Sequence, residues 1–196
     1  GMPDGSTSDT YTNKNGVVVP GVANRMIYAE TASALRGKDV PMVLQTYAEV
    51  EFLKAEAAIR GWISTSAETH YNAGVTAAMK MLKQLYPATT AITDAQISTF
   101  LAGPGKLATS FPANWEMVMN EYWKVTFLNE YEAYANWRRT GYPTLTPTAH
   151  PSQVANGIFR RMIYPGGESA TNGENYAAAI ARQGEDTWMT RMWWDK

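Results

Sequence analysis

Apolar side chains recur at three- and four-residue intervals through most of this chain, which is the spacing of one face of an α-helix. The first periodic stretch begins near Pro41 and ends near Gly61. A second begins after Ser66, a residue type that often caps helix N-termini, and ends before Pro87. Only a short connection joins the two. We therefore expect them to pack as an antiparallel helical hairpin.

Capping residues predict two further helices. Thr93 and Gln96 have the spacing of a capping box, so a short helix should run from there to about Leu101. Asn172 is a candidate cap for a last helix, and Gly184 is placed to end it. The aromatic tail that follows should dock on the protein.

The most sustained helical periodicity in the chain covers residues 114–137. It predicts one long, largely buried helix. Beyond this segment the chain becomes polar and rich in proline, which disfavours helix because proline removes a backbone donor. We expect a long wrapped loop that contains Pro143, Pro147 and Pro151.

Residues 1–38 show no helical periodicity. They mix glycine, asparagine, threonine and serine, and one apolar run at residues 17–20 predicts a brief strand. The sequence thus divides into an irregular loop segment, residues 1–38, and a helical domain, residues 39–196. The expected fold class is all-α, mainly helical with long loops.

Charge and composition exclude several classes of function. The 17 basic and 18 acidic residues give a net charge of -1, which leaves no positive excess to neutralise phosphates, so we expect no nucleic-acid partner. The chain has no cysteine for a disulfide, a zinc thiolate or a nucleophile. Its two histidines, His70 and His150, have no ligand-spaced neighbours, and we expect neither a metal site nor a cofactor. No stretch approaches the ~20 apolar residues of a membrane-spanning helix.

Glycoside hydrolysis needs only two carboxyl groups that face one bond, so helical glutamates are the catalytic candidates to weigh. Asn120 with Glu121 and Asn129 with Glu130 resemble the Asn-Glu pair of barrel glycosidases, but the alternating strands of a barrel are missing. A place on the helix surface or a pairing with arginine is the simpler role for these glutamates, and we expect that the protein is not an enzyme. A cleft lined by opposed acids with shifted pKa values would contradict this expectation. The candidate glutamates are Glu49, Glu51, Glu56, Glu116, Glu121, Glu130 and Glu132.

Four sequence blocks carry a family resemblance. Residues 41–62 read PMVLQTYAEVEFLKAEAAIRGW, and residues 132–143 read EAYANWRRTGYP. The third block joins RRMIYP at residues 160–165 to NGENY at residues 172–176, and the fourth is TRMWWDK at the end of the chain. In this order they resemble SusD/RagB-like outer-membrane lipoproteins, and the closer subtype is SusD-like group 2.

This resemblance implies tetratricopeptide-like hairpins within a SusD-like α-α superhelix, and it makes the chain the C-terminal portion of a longer protein. The implied function is a non-catalytic glycan-binding component of a polysaccharide or oligosaccharide uptake system. It would act with a TonB-dependent SusC-like transporter on the surface of the outer membrane of Bacteroidetes, held by an N-terminal lipid anchor absent from this chain. The alternative is a helical protein-binding or structural module without sugar affinity of its own.

The resemblance also implies where a glycan would bind, because the segment before the first helix corresponds to a region that supplies aromatic platforms in relatives. Tyr11 and Tyr28 are the expected platforms, with Asn13 and Asn15 as hydrogen-bonding neighbours. We expect the arginine pairs at 138–139 and 160–161 to bond to helix glutamates. The motif aromatics should pack between helices: Tyr131, Trp137, Tyr142, Trp193 and Trp194.

Overall fold

The computed structural model describes residues 10–12, 18–20, 35, 37–87, 89–146 and 157–195. Within these ranges the chain forms seven helices and one two-stranded antiparallel ladder, which confirms the helical fold class. The chain divides into two compact units. The larger contains residues 34–145 with 194–196, and the smaller contains residues 1–33 with 146–193.

Five helices build the larger unit, and the first of them is central. Helix α1 packs most extensively on α2 and next on α4, so the predicted hairpin of the first two helices is confirmed. The five helices are α1 (Tyr47–Ile59), α2 (Ala67–Leu85), α3 (Asp94–Ala102), α4 (Ala113–Val125) and α5 (Glu130–Thr140).

Side-chain caps fix where the helices begin. Thr46 and Glu49 form a capping box at α1, and the predicted capping box of Thr93 and Gln96 is confirmed at α3. In each box the threonine hydroxyl accepts a hydrogen bond from a first-turn N–H group that has no partner within the helix. Ser66 is the N-cap of α2, although its side chain makes no capping bond.

The prediction of one continuous helix over residues 114–137 is wrong. Helix α4 ends at Val125, and Leu128 then adopts a φ of 72°, a left-handed conformation that breaks the helix. The Asn129 side chain accepts a hydrogen bond from the Glu132 N–H (3.4 Å) and begins α5. Apolar residues keep a helical spacing across the break. Periodicity alone therefore does not reveal that the Asn129 side chain bonds to the backbone in place of a continuous helix.

An aromatic pair joins α1 to α2 in the core of the larger unit. Phe52 and Tyr71 are both fully buried, with ring centroids 6.1 Å apart. Gly74 on α2 makes this approach possible, because a Cβ atom there would lie 2.7 Å from Cε1 of Phe52. The surrounding core contains Ala48, Ala55, Val75, Leu107, Trp115, Val118, Met119, Tyr122 and Val125.

A buried carboxylate makes a polar tie between the same two helices. Glu51 accepts hydrogen bonds from Nδ1 of His70 (2.7 Å) and from Nζ of Lys54 (2.8 Å). Nε2 of His70 lies 2.9 Å from Oγ1 of Thr65. Burial favours the neutral acid, but the bonds from Lys54 and His70 outweigh it and hold the pKa of Glu51 below its ordinary value.

The smaller unit contains two helices, α6 (Glu168–Thr171) and α7 (Gly173–Gln183), and a ladder of β1 (Thr10–Thr12) with β2 (Val18–Pro20). Strand β2 is the predicted strand, whereas β1 was not predicted. The two run antiparallel with Tyr11 opposite Val19. Gly184 ends α7 as predicted.

Asp186 organises the turn that follows α7. It accepts hydrogen bonds from Nη2 of Arg161 (3.0 Å), from the N–H of Tyr164 (3.1 Å) and from the hydroxyl of Tyr176 (3.2 Å). The expected glutamate partner of Arg161 is therefore wrong. A loop aspartate 25 residues away takes that place, and only the chain path after α7 brings it there.

The motif aromatics divide between packing and exposure. Trp137 is buried, and the ring of Trp194 stacks on the Arg138 guanidinium at 4.5 Å. Tyr131 is 89% exposed and Trp193 is 91% exposed, so the expectation that these two pack between helices is wrong. Both rings face solvent, because no element in the described part of the chain packs over them. A sequence motif does not reveal which elements will lie opposite its side chains.

We expect Gly74→Ala to lower the free energy of unfolding by about 1–3 kcal/mol, because the new Cβ atom overlaps the buried Phe52 ring. Alanine normally stabilises a helix interior by about 1 kcal/mol relative to glycine, so the sign of the effect isolates the clash. Urea unfolding followed by circular dichroism measures it. Gly173→Ala, whose Cβ meets open space, is the matched control and should not destabilise. Unchanged stability of Gly74→Ala would contradict this packing.

Glu51→Gln should destabilise the protein at neutral pH and have little effect in acid. The folded pKa of Glu51 lies below the ordinary 4.5, so the ionised carboxylate stabilises the fold above about pH 4.5. That contribution is lost as the pH falls through the folded pKa. Melting temperatures of parent and variant between pH 7 and pH 3 should therefore converge at the acid end. The exposed Glu68→Gln is the control, and a constant offset for both variants would refute the tie.

Candidate functional site

The C-terminal end of α1 presents a tryptophan to solvent. The N–H of Gly61 donates to the Ala58 carbonyl (3.0 Å), and the N–H of Trp62 donates to the Ala57 carbonyl (2.9 Å). These paired bonds form a Schellman motif, which requires a left-handed residue that glycine supplies at φ 73°. The chain turns sharply there, and Trp62 is left 70% exposed.

Arg60 holds this tryptophan in place. Its guanidinium carbon lies 5.0 Å from the ring centroid of Trp62 and 4.6 Å from that of Trp115, which is buried. A cation over an aromatic ring is attracted to the negative face of the ring. The stack of two indoles around one guanidinium restrains the Trp62 ring while most of its surface stays accessible.

A buried carboxylate in turn orients Arg60. Oε1 of Glu56 accepts hydrogen bonds from Nε of Arg60 (2.9 Å) and Nη1 of Arg139 (2.6 Å), and Oε2 accepts from Nη2 of Arg139 (2.8 Å). Oδ1 of Asn136 accepts a further bond from Arg139 (2.8 Å). Glu56 is only 4% exposed, so both arginines compensate its charge. The predicted pairing of Arg139 with a helix glutamate is confirmed.

Two more carboxylates meet beside Tyr122. The hydroxyl of Tyr122 donates to Oε1 of Glu132 (2.7 Å), while Oε1 of Glu49 accepts from the backbone N–H and the hydroxyl of Thr46. Burial raises the pKa of Glu49 and the nearby charge of Glu132 adds to it, so the Thr46 bonds only partly offset the shift. Burial and the Glu132 carboxylate likewise raise the pKa of Tyr122.

These side chains line one open cleft of about 800 Å³ in the larger unit, hereafter the α1 cleft. Helix α1 runs along it, α5 contributes the facing side chains, and Trp62 and Leu44 lie at opposite ends of the α1 stretch. The lining residues are Leu44, Gln45, Glu49, Leu53, Glu56, Arg60, Trp62, Tyr122, Glu132 and Arg139.

Opposed acids in a cleft would suit glycoside hydrolysis, so the state of each carboxylate matters. Glu56 is bonded to two arginines, Glu49 caps its own helix, and Glu132 accepts the Tyr122 bond. Glu49 and Glu56 are each 4% exposed, so little of either carboxylate is accessible from the cleft. The raised pKa of Glu49 beside Glu132 therefore partly meets the condition named above against the expectation of no enzyme, although both carboxylates are engaged in hydrogen bonds within the protein.

Over the described ranges, no three histidine, aspartate or glutamate side chains come together in a way that suits a metal ion. None of the helices in those ranges has the length and apolar character needed to cross a membrane.

The four glycan-contact residues derived from the resemblance stay a prediction. Tyr11 lies in β1, where the backbone alone is described, and Asn13, Asn15 and Tyr28 lie outside the described residues. Sequence reasoning missed Trp62 as a site residue. A tryptophan directly after a helix-ending glycine was the available signal, but helical periodicity does not tell whether such a ring is exposed.

Comparison with known families decides the affiliation of the chain. The model of the SusD-like group 2 family, described as starch-binding and associating with the outer membrane, matches residues 5–165. The chain belongs to this family. The first two sequence blocks noted above lie within the matched residues, and they supply the α1 cleft with Glu56, Arg60, Trp62 and Arg139.

Solved SusD-like structures agree with the fold. A SusD-like protein of Bacteroidetes AC2a is 33% identical with a TM-score of 0.81, covering 91% of this chain and 35% of its own. A chitin-binding protein is 35% identical (TM-score 0.73; 84% and 36% covered), and a SusD homolog from Bacteroides fragilis is 32% identical (0.68; 79% and 35%). This SusD-like chain spans about 35% of the length of these relatives. No curated protein matches it.

Arg139→Gln should lower the free energy of unfolding by about 3–5 kcal/mol, because it leaves the buried Glu56 carboxylate with half of its compensation. Chemical denaturation monitored by tryptophan fluorescence measures the loss. Lys124→Gln is the matched control, since it breaks an exposed pair with Glu121 and should cost less than about 1 kcal/mol. Equal effects of the two substitutions would show that the Glu56 pair has no special role.

Proposed function

We propose that this chain is part of a non-catalytic glycan-binding component of a polysaccharide or oligosaccharide uptake system at the outer membrane. Membership in a family described as starch-binding and associating with the outer membrane carries the proposal. The chitin-binding relative, 35% identical, supports the same class of ligand. In the described residues, the α1 cleft with its exposed Trp62 is where we place a sugar.

The chemistry of the α1 cleft suits a neutral sugar. The C–H face of a pyranose packs on an exposed indole, and nearby polar groups fix its hydroxyls without a large net charge. Arg60 bonds to Glu56 through Nε, so its terminal nitrogens remain available to donate to hydroxyls. Gln45 and Glu132 add amide and carboxylate partners along the same cleft.

A second contact region is proposed in the segment before α1. Tyr11 and Tyr28 would supply further aromatic platforms there, with Asn13 and Asn15 donating to and accepting from hydroxyls. The support for this region is the resemblance to SusD-like proteins. Replacement of Tyr11 and Tyr28 by alanine is the direct way to measure its share of the affinity.

The proposed partner is a TonB-dependent SusC-like transporter, and the proposed location is the cell surface, with lipid anchorage in the full-length protein.

One observation favours the second candidate function, a helical protein-binding module. A groove of about 600 Å³ lies between residues 41–48 and the last turns of α2, and Met42, Leu44 and Tyr47 are exposed there. Exposed apolar side chains of this kind favour a protein ligand. Failure to bind any glycan, together with retention of the transporter in co-purification, would support that candidate.

Trp62→Ala should weaken glycan binding at least about tenfold, because the substitution removes the aromatic surface on which a sugar packs. Titration calorimetry with soluble starch and with chitin oligosaccharides measures the loss. Trp123→Ala is the matched control, because Trp123 is also exposed but does not line the cleft, and its affinity should equal that of the parent. No reducing sugar should be released in either case. Undiminished binding by Trp62→Ala would remove the cleft from the proposal.

A further inference from the structure

The α1 cleft has a repeat along its length. From Glu49 onward its α1-side residues are spaced by four, three and four positions, so they fall on one helix face at about one per turn, and Gln45 lies four positions earlier in the stretch before the helix. One turn rises about 5.4 Å. A pyranose with its glycosidic oxygen spans about 5 Å at ordinary bond lengths near 1.5 Å. The residues in this row are Gln45, Glu49, Leu53, Glu56 and Arg60.

The length of the row sets how many units fit. Glu49 and Arg60 are eleven residues apart, which is about 16 Å at a rise of 1.5 Å per residue. Gln45 precedes α1 at one end and Trp62 follows it at the other, so the usable length is about 20 Å. An open cleft of this length accommodates about four pyranose units in an extended chain.

Accessible groups lie at the two ends of the cleft and at its middle. Glu49 and Glu56 form the floor and are bonded internally, whereas Leu53 is 39% exposed and offers an apolar step between them. Gln45 is exposed at one end, and Trp62 is exposed at the other. A short saccharide on Trp62 therefore cannot reach the amide of Gln45, but a longer one can.

We propose that the α1 cleft selects linear saccharides by length and binds about four units in a row along α1. One end unit packs on Trp62, the middle units lie over Leu53, and the unit at the far end bonds to Gln45. This inference rests on the proposed glycan-binding function and adds the size and shape of the ligand. Disaccharides fill half of the cleft, and units beyond the fourth or fifth extend into solvent.

The test is a calorimetric titration of the 196-residue chain with two ladders of probes, maltooligosaccharides and chitooligosaccharides of two to seven units. Affinity for the ladder that binds should rise at least about tenfold between two and four units and then stay level. Each added unit that gains a hydrogen bond or an apolar contact contributes to this rise. Beyond the cleft no further contact exists to strengthen binding.

Variants at the two ends separate the contributions. Gln45→Ala should weaken binding of the tetrasaccharide about fivefold and leave that of the disaccharide unchanged, because one hydrogen bond is lost at the far end. Trp62→Ala should weaken both about tenfold. Gln84→Ala, an exposed glutamine outside the α1 cleft, should change neither affinity and serves as the control.

The outcomes distinguish this inference from the proposed function. If no probe of any length binds, glycan binding by this chain is overturned. If disaccharides bind as tightly as tetrasaccharides, or if affinity rises evenly through seven units, glycan binding stands and selection by length is overturned. Equal effects of Gln45→Ala on two and four units would also overturn it.

Discussion

One buried carboxylate sets the geometry on which the larger unit and its cleft depend. Glu56 lies on α1 with almost no exposure, and a charge in that position is tolerated only when it is fully hydrogen-bonded. Arg139 reaches it from α5 with two parallel bonds, and Arg60 adds a third from the end of α1. The position of α5, the direction of Arg60 and the stacking of Trp62 on Arg60 all follow from this single requirement.

The smaller unit applies the same principle with an aspartate. Asp186 gathers donors from Arg161, Tyr164 and Tyr176, and the rings of Tyr164 and Tyr176 pack edge to face with centroids 5.7 Å apart. In both units an arginine of a family motif meets an acid far along the chain. Each motif arginine is therefore one partner of an ion pair. Its role in the fold is clear only when the acid that it binds is known.

These contacts also engage most carboxylates of the α1 cleft in hydrogen bonds within the protein. A catalytic carboxylate must reach its substrate, but the carboxylates of Glu49 and Glu56 are directed into the protein and bonded to a cap or to arginines. The groups left at the surface are an indole, a guanidinium edge, an amide, a leucine and the half-buried carboxylate of Glu132, which accepts the Tyr122 bond. Apart from that carboxylate, such groups hold hydroxyls and C–H faces.

The sequence alone determined the elements that depend on near neighbours. Contacts within a few residues produce the hairpin of α1 and α2, the capping box of Thr93 and the end of α7 at Gly184. The family motifs can likewise be recognised from the sequence alone. The sequence did not predict the helix break at Leu128, because the helical spacing of apolar residues continues through it. Tertiary structure decided the site: Glu56 and Arg139 are 83 positions apart, and the exposure of Trp62 depends on what α5 and the loops leave uncovered. Periodicity records which face of a helix is apolar, whereas only the packed chain fixes which distant side chains meet and which remain in water.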